Sequence, residues 1–193
     1  MLKKAIPVCS IVIAISFCSV LARAQWTVHA LAGKMRVVNV DSKILIIEAN
    51  DGTDGIFQLP ENDKLKLSFD KDVRAATIAP EKAVGDTGQV IVFFFDNGDL
   101  RTAVAVESVG DGPFQKMTGT VLKYDRHDRV LTLQTPDGEK SFAISDKTIV
   151  DTPDGVVPGR KFNAERGDHL RLLAQTRAGV QQTLLVRFDG NPT

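Results

Sequence analysis

The fold is decided by a stretch of sequence that occurs twice. Residues 119–133 read GTVLKYDRHDRVLTL and lead to Asp137-Gly138, while residues 33–47 read GKMRVVNVDSKILII and lead to Asp51-Gly52. The two stretches align without a gap at an offset of 86 residues, which pairs Lys43-Ile44-Leu45 with Arg129-Val130-Leu131. A repeat at a fixed spacing predicts two copies of one structural unit.

Each copy is predicted to form five short β-strands. Period-two alternation, as in Leu131-Thr132-Leu133, indicates strands, and pairs such as Asn97-Gly98 and Asp137-Gly138 indicate the turns between them. Asp-Gly and Asn-Gly pairs supply the positive φ angles that tight hairpins require. The expected order in each copy is three strands, a longer connection over residues 60–87 or 145–167, and a final hairpin.

Closure into a barrel is the expected architecture of each copy. Five short strands in a flat sheet would leave both edges open, whereas a small barrel pairs most of the backbone and encloses one core. We therefore predict an all-β fold of two tandem five-stranded OB-like barrels, the first at residues 25–112 and the second at residues 113–193.

The pattern resembles bacterial secreted families of unknown function that are built from repeated OB-like modules. Each module of those families opens with Gly-x-Val and carries a late Gly-Asp before its fourth strand. The second copy matches at Gly119-Thr120-Val121 and Gly167-Asp168. The first copy departs, with Gly33-Lys34-Met35 at its start and Gly85-Asp86 displaced by Thr87-Gly88. Because these motifs consist of turn and core residues, the resemblance implies a fold and no function.

Residues 1–24 are predicted to be a secretory signal peptide. Lys3 and Lys4 precede an apolar run that reaches about Leu21, and Ala22-Arg23-Ala24 suits signal peptidase. A retained membrane anchor is the alternative, but the apolar run is short for one. The signal is bacterial in style, so the periplasm is the expected destination, with full secretion as the alternative.

Composition narrows the possible functions of the mature chain. Removing Lys3, Lys4 and Arg23 with the signal leaves 21 basic against 24 acidic side chains, a formal charge of −3. With no basic surface and few exposed aromatic residues, nucleic-acid binding is not expected. Both cysteines, Cys9 and Cys18, lie in the signal, so the mature chain forms neither a disulfide nor a thiolate metal site.

No catalytic motif is recognisable. The chain has three histidines, and none lies in a nucleophile, zinc or acid–base motif. They are His29, His127 and His169. We therefore expect a protein that is not an enzyme and has no cofactor.

A copper or silver site is the alternative chemistry, because imidazole and thioether ligands suit Cu(I). The candidate residues are Trp26, His29, Met35 and Met117. They are weak candidates, since two precede the first predicted strand and the two methionines open different repeats. Structural roles are favoured instead, with Trp26 anchoring the N-terminal segment and the methionines filling gaps in the cores.

Comparison of the repeats predicts an interaction face on the first barrel. In the second repeat, Thr132, His169 and Arg171 alternate with leucines and are expected to face solvent. The positions of the first repeat aligned with these three are Ile46, Val90 and Val92, followed by Phe94 against Leu173, and all four are apolar. Such a face needs a cover: a segment of this chain, the second barrel, a homodimer partner or another periplasmic protein.

These observations predict a periplasmic, non-enzymatic binding or scaffolding module of the cell envelope. The alternative is a periplasmic copper or silver chaperone. Neither prediction involves nucleic acid or membrane insertion after signal cleavage.

Overall fold

The structure is a computed structural model that describes residues 26–50, 52, 54–61, 70–96, 98, 100–177 and 179–189. The predicted signal peptide lies outside these residues. The predicted all-β class is confirmed. Two sheets contain the twelve strands of the described residues, and α1 (Lys71–Ala75) is the one α-helix among them.

The first half forms a closed barrel with the strand order β1-β2-β3-β5-β4. Its strands are β1 (Val28–Asn39), β2 (Ile44–Ala49), β3 (Asp54–Gln58), β4 (Gln89–Asp96) and β5 (Arg101–Gly110). Helix α1 and a short 3-10 helix, Pro80–Ala83, lie in the connection between β3 and β4. A parallel pairing of Gln58 with Thr102 joins β3 to β5 and completes the ring.

The second half contains seven strands, where the sequence predicted five. They are β6 (Phe114–Asp125), β7 (Val130–Thr135), β8 (Gly138–Ala143), β9 (Ile149–Thr152), β10 (Gly155–Pro158), β11 (His169–Arg177) and β12 (Val180–Phe188), in the order β10-β9-β12-β11-β6-β7-β8. The extra hairpin, β9–β10, lies within the segment predicted to be a plain connection. A further pairing of β12 with β8, at Gln182 and Ala143, matches the closing contact of the first half.

The repeat in the sequence is a repeat in the backbone. Each copy has a β-bulge in its first strand, between Met35 and Val37 in β1 and between Val121 and Lys123 in β6. The turn that follows contains a residue at positive φ in both copies, Lys43 at 52° and Arg129 at 53°.

The opening glycine of each copy has a steric reason. A Cβ on Gly33 would lie 2.5 Å from the backbone oxygen of Glu48, and one on Gly119 would lie 2.7 Å from that of Gln134. No side chain fits at that distance, so the first two strands of each copy approach closely only because glycine stands there.

The two halves have separate interiors and share a third core. Matching positions line the two interiors, as when Leu45 and Phe57 of the first half correspond to Leu131 and Phe142 of the second. The third core, which we call the seam, joins outward side chains of both halves. From the first half it takes Val28, Ala30, Ala32, Val73, Ile91, Phe93 and Ala105, and from the second Ile149, Val156, Leu173 and Leu185.

Candidate functional site

The extra hairpin of the second half contributes Ile149 and Val156 to the seam. Gly155, at its turn, has a φ of 108°, and a Cβ there would lie 3.1 Å from the backbone oxygen of Val28. The hairpin therefore packs directly on the start of β1. Burial of outward side chains from both halves joins them into one apolar contact.

A buried hydrogen-bonded group of three side chains crosses the seam. The Asp151 carboxylate on β9 accepts a hydrogen bond from Nε of Arg187 at 3.0 Å and lies 2.8 Å from Nδ1 of His29. Asp151 is fully buried, and the other two are about 6% exposed. Because a charge in such a place is stable only with partners, this group ties β1 of the first half to β9 and β12 of the second.

A cleft of about 630 Å³ opens at the edge of the seam. Its walls come from α1 and β5 of the first half and from residues 146–149 and 158–160 of the second. The lining residues are Asp72, Val73, Ala75, Ala76, Glu107, Asp146, Lys147, Ile149, Pro158 and Arg160. A volume in this range, at a junction between two units, is typical of sites for small molecules.

Ion pairs hold one wall of the cleft together. Arg160 contacts Asp72 at 2.7 Å and Asp70 at 3.3 Å, and Lys161 contacts Asp70 at 3.1 Å. The backbone N–H of Asp72 and the Lys161 ammonium lower the pKa of Asp70, so this carboxylate stays ionised. These contacts fix α1 against the second half.

Glu107 is the unusual side chain of the cleft. It lies half-buried on β5, and burial raises its pKa to about 7 from an ordinary value of 4.5. Within the part of the chain that the structure describes, its carboxylate has no hydrogen-bond or ion-pair partner. An acid group of this kind is a frequent mark of a functional site.

We expect Glu107→Gln to stabilise the protein at pH 8. Because the folded-state pKa lies above the unfolded value, stability falls as the pH rises from about 4.5 to about 7, and the full cost is present above that range. With an allowance for solvent screening of a half-exposed group, the gain is about 1–2 kcal/mol. Urea unfolding at pH 5 and pH 8 measures it.

The control for this prediction is Glu139→Gln, at an exposed position of β8. We expect no pH-dependent gain from it. An equal gain at both pH values for Glu107→Gln would contradict the assignment of the cost to ionisation.

A second surface feature is an exposed apolar row on the first barrel. Val37, Ile46 and Ile56 lie side by side on β1, β2 and β3, because Val37 pairs with Ile46 and Ile46 with Ile56. Val37 is 44% exposed and Ile56 is 58% exposed.

The equivalent row of the second half is polar. Lys123, Thr132 and Ser141 lie in the same register on β6, β7 and β8, and the two hydroxyls lie 3.2 Å apart. The two copies thus share a backbone but present different chemistry at the same outer position.

The predicted interaction face requires a correction. Ile46 faces outward as predicted and is part of the apolar row, but Val90, Val92 and Phe94 line the interior of the first barrel. Lys34 and Thr120 are equivalent positions of the two copies, and they pair with Gln89 and His169, respectively. Gln89 is therefore the counterpart of His169, one residue before Val90, which the sequence alignment places there. A shift of one residue exchanges the two faces of a strand.

Ile91 and Phe93 of β4 therefore face outward. Both lie in the seam, where side chains of the second half cover them. The second half covers Ile91 and Phe93 together with Val73 of the connection, and Trp26 of the N-terminal segment packs on Phe95.

The structure places the four candidate metal ligands in different packing environments. Trp26 stacks on Phe95 with ring centroids 5.0 Å apart, and His29 is bonded to Asp151. Met35 lies in the first interior and Met117 packs against the second. No group of three or more His, Cys, Asp or Glu side chains suited to a metal ion occurs among the described residues.

Sequence reasoning missed the residues that define the seam and its cleft. Asp151 carried a usable signal, since it is an acid directly after the apolar pair Ile149-Val150 in a short strand. Glu107 carried a similar one, after Ala105-Val106 in β5. Neither signal shows that Asp151 has buried partners or that Glu107 has none among the described residues.

Comparisons of the sequence with protein-family models and with curated proteins found no match. Among the described residues, no helix combines the length and apolar character needed to cross a membrane.

Proposed function

We propose that this chain is a non-enzymatic binding module of the bacterial periplasm, built from two OB-like barrels that act as one body. The matching strand pairings of the two halves support the OB-like architecture, and the signal-like sequence at residues 1–24 supports the location. The seam supports a single body, because it gives the halves a common core and a buried ionic group.

The observation that carries the binding role is the apolar row of Val37, Ile46 and Ile56. A solvated barrel face gains nothing from aliphatic side chains, and the second copy shows that polar residues suit the same backbone positions. We propose that the row binds an apolar segment of a protein partner in the cell envelope.

The dimensions of the row favour a segment over a second copy of this chain. The row crosses three strands, a width of about 10 Å at the usual strand spacing. A stable dimer needs about 800 Å² of buried surface on each partner, far more than three side chains provide. One strand or one helix face of a partner fits the width.

The test exchanges the row for the residues of the second copy, in the triple variant Val37→Lys, Ile46→Thr and Ile56→Ser. Because these side chains point outward, we expect the free energy of unfolding to change by less than about 1 kcal/mol. Periplasmic proteins retained by the tagged wild-type chain should be lost by the variant, as measured by quantitative mass spectrometry.

The matched control is Lys123→Ala, Thr132→Ala and Ser141→Ala in the second copy, which should retain the same proteins as the wild type. Recovery of those proteins by the row variant would overturn the proposal, as would no specific retention by the wild type. A dimer that the row variant dissociates in sedimentation would assign the surface to a second copy instead.

A further inference from the structure

The cleft beside the seam is separate from the apolar row and has its own chemistry. Much of its wall is apolar, from Val73, Ala75, Ala76, Ile149 and Pro158. Its volume of about 630 Å³ is large enough for a small organic molecule. Its shape depends on both halves, since α1 and β5 face the residues around Asp146 and Arg160 across it.

The charged groups of the cleft are unequally paired. Arg160 is neutralised by Asp72 and Asp70, and Asp146 forms an ion pair with Arg129. Two charged lining residues have no ion-pair partner among the described residues, Glu107 and Lys147. Of these, Glu107 is the half-buried one, while Lys147 is exposed.

We propose that the cleft binds a small organic cation, a protonated amine on an apolar body, with the Glu107 carboxylate as its counter-ion. An apolar body fits the aliphatic wall. An ammonium group supplies the hydrogen-bond donors that a half-buried carboxylate otherwise lacks. A neutral ligand would offer at most an uncharged hydrogen-bond donor to the Glu107 carboxylate, and an anionic ligand would be repelled by it.

The surrounding charges determine how such a ligand is oriented. Asp72 and Asp146 are held by Arg160 and Arg129, so neither competes strongly for the ammonium group. Lys147 repels a cation and disfavours an ammonium group on its own side of the cleft. Glu107 is thus the one lining carboxylate free to receive the cation among the residues described.

Binding is coupled to a proton. Glu107 has a pKa of about 7, so it is mostly neutral at pH 5.5 and mostly ionised at pH 8.5. If only the ionised form binds the cation, the apparent affinity rises about thirty-fold between these pH values. An alkylammonium probe stays protonated throughout, since its pKa resembles that of lysine at about 10.4.

The experiment titrates the folded chain with n-hexylamine and, separately, with hexan-1-ol, followed by amide chemical shifts in NMR spectra. We expect n-hexylamine to shift Ala75, Ala76 and Glu107 saturably, with the thirty-fold pH dependence. Hexan-1-ol, which has the same apolar body and no charge, should bind at least ten-fold more weakly at pH 8.5.

Three variants make the test specific. Glu107→Gln should lose at least ten-fold in affinity at pH 8.5 and show no pH dependence, while its spectrum elsewhere stays that of the folded protein. Lys147→Gln should bind n-hexylamine a few-fold more tightly, because a like charge is removed. Glu139→Gln, away from the cleft, should bind as the wild type does.

Several results would overturn the proposal. These are the absence of saturable shifts around the cleft, equal binding of hexan-1-ol and n-hexylamine, and undiminished binding by Glu107→Gln. None of them bears on the apolar row, so the cleft and the partner surface succeed or fail separately.

Discussion

We expect Asp151→Ala to lower the free energy of unfolding by about 3–5 kcal/mol, the usual cost of removing one partner from a buried ionic group. The carboxylate is fully buried and contacts both His29 and Arg187. Its loss leaves the Arg187 guanidinium in a seam that solvent hardly reaches. Urea unfolding followed by circular dichroism at pH 7 measures the change.

The matched control for this prediction is Asp154→Ala, in the exposed turn of the same hairpin. That change should stay within about 0.5 kcal/mol of the wild type, as surface substitutions usually do. A loss below 1 kcal/mol for Asp151→Ala would show that the seam does not depend on this group. The halves would then be held by apolar contact alone.

The repeat and its turns were predictable because they depend on local chemistry. The close approach of the first two strands requires a glycine at the same place in each copy, Gly33 and Gly119. Pairs such as Asp137-Gly138 lie at hairpin turns. Such signals lie within a few residues of the structure they determine, so one sequence is enough to locate them.

The orientation of β4 was not predictable, because the residues of Val90–Phe95 are apolar without exception. Alternation appears only where one face of a strand meets water. Here Val92 faces the barrel interior and Phe93 the seam, so both faces are buried and the period-two signal is absent. The alignment by hydrophobicity then placed the strand one residue out of register.

The seam and cleft were hidden for a different reason. His29 and Asp151 are 122 residues apart in the chain, and the hairpin that brings them together has strands of only four residues. Strands this short, with Pro153 in the turn between them and Pro158 at the end of the second, do not stand out from a loop. The junction of the two copies also has no counterpart within either copy, so the repeat carries no information about it.

Because of the register of β4, a substitution at Phe93 is expected to destabilise the protein strongly. Phe93→Ala should lower the free energy of unfolding by about 3–5 kcal/mol, because the ring is fully buried in the seam and its loss leaves a cavity. The alignment by hydrophobicity placed Phe94 rather than Phe93 on the outer side of this strand. Urea unfolding at pH 7 measures the loss.

One control variant separates a loss in the seam from the general cost of shortening an apolar side chain. Ile56→Ala, in the exposed apolar row, should cost less than about 0.5 kcal/mol, since little surface is buried there. A loss below about 1 kcal/mol for Phe93→Ala would mean that the second half does not cover β4, and the common core of the two halves would be wrong.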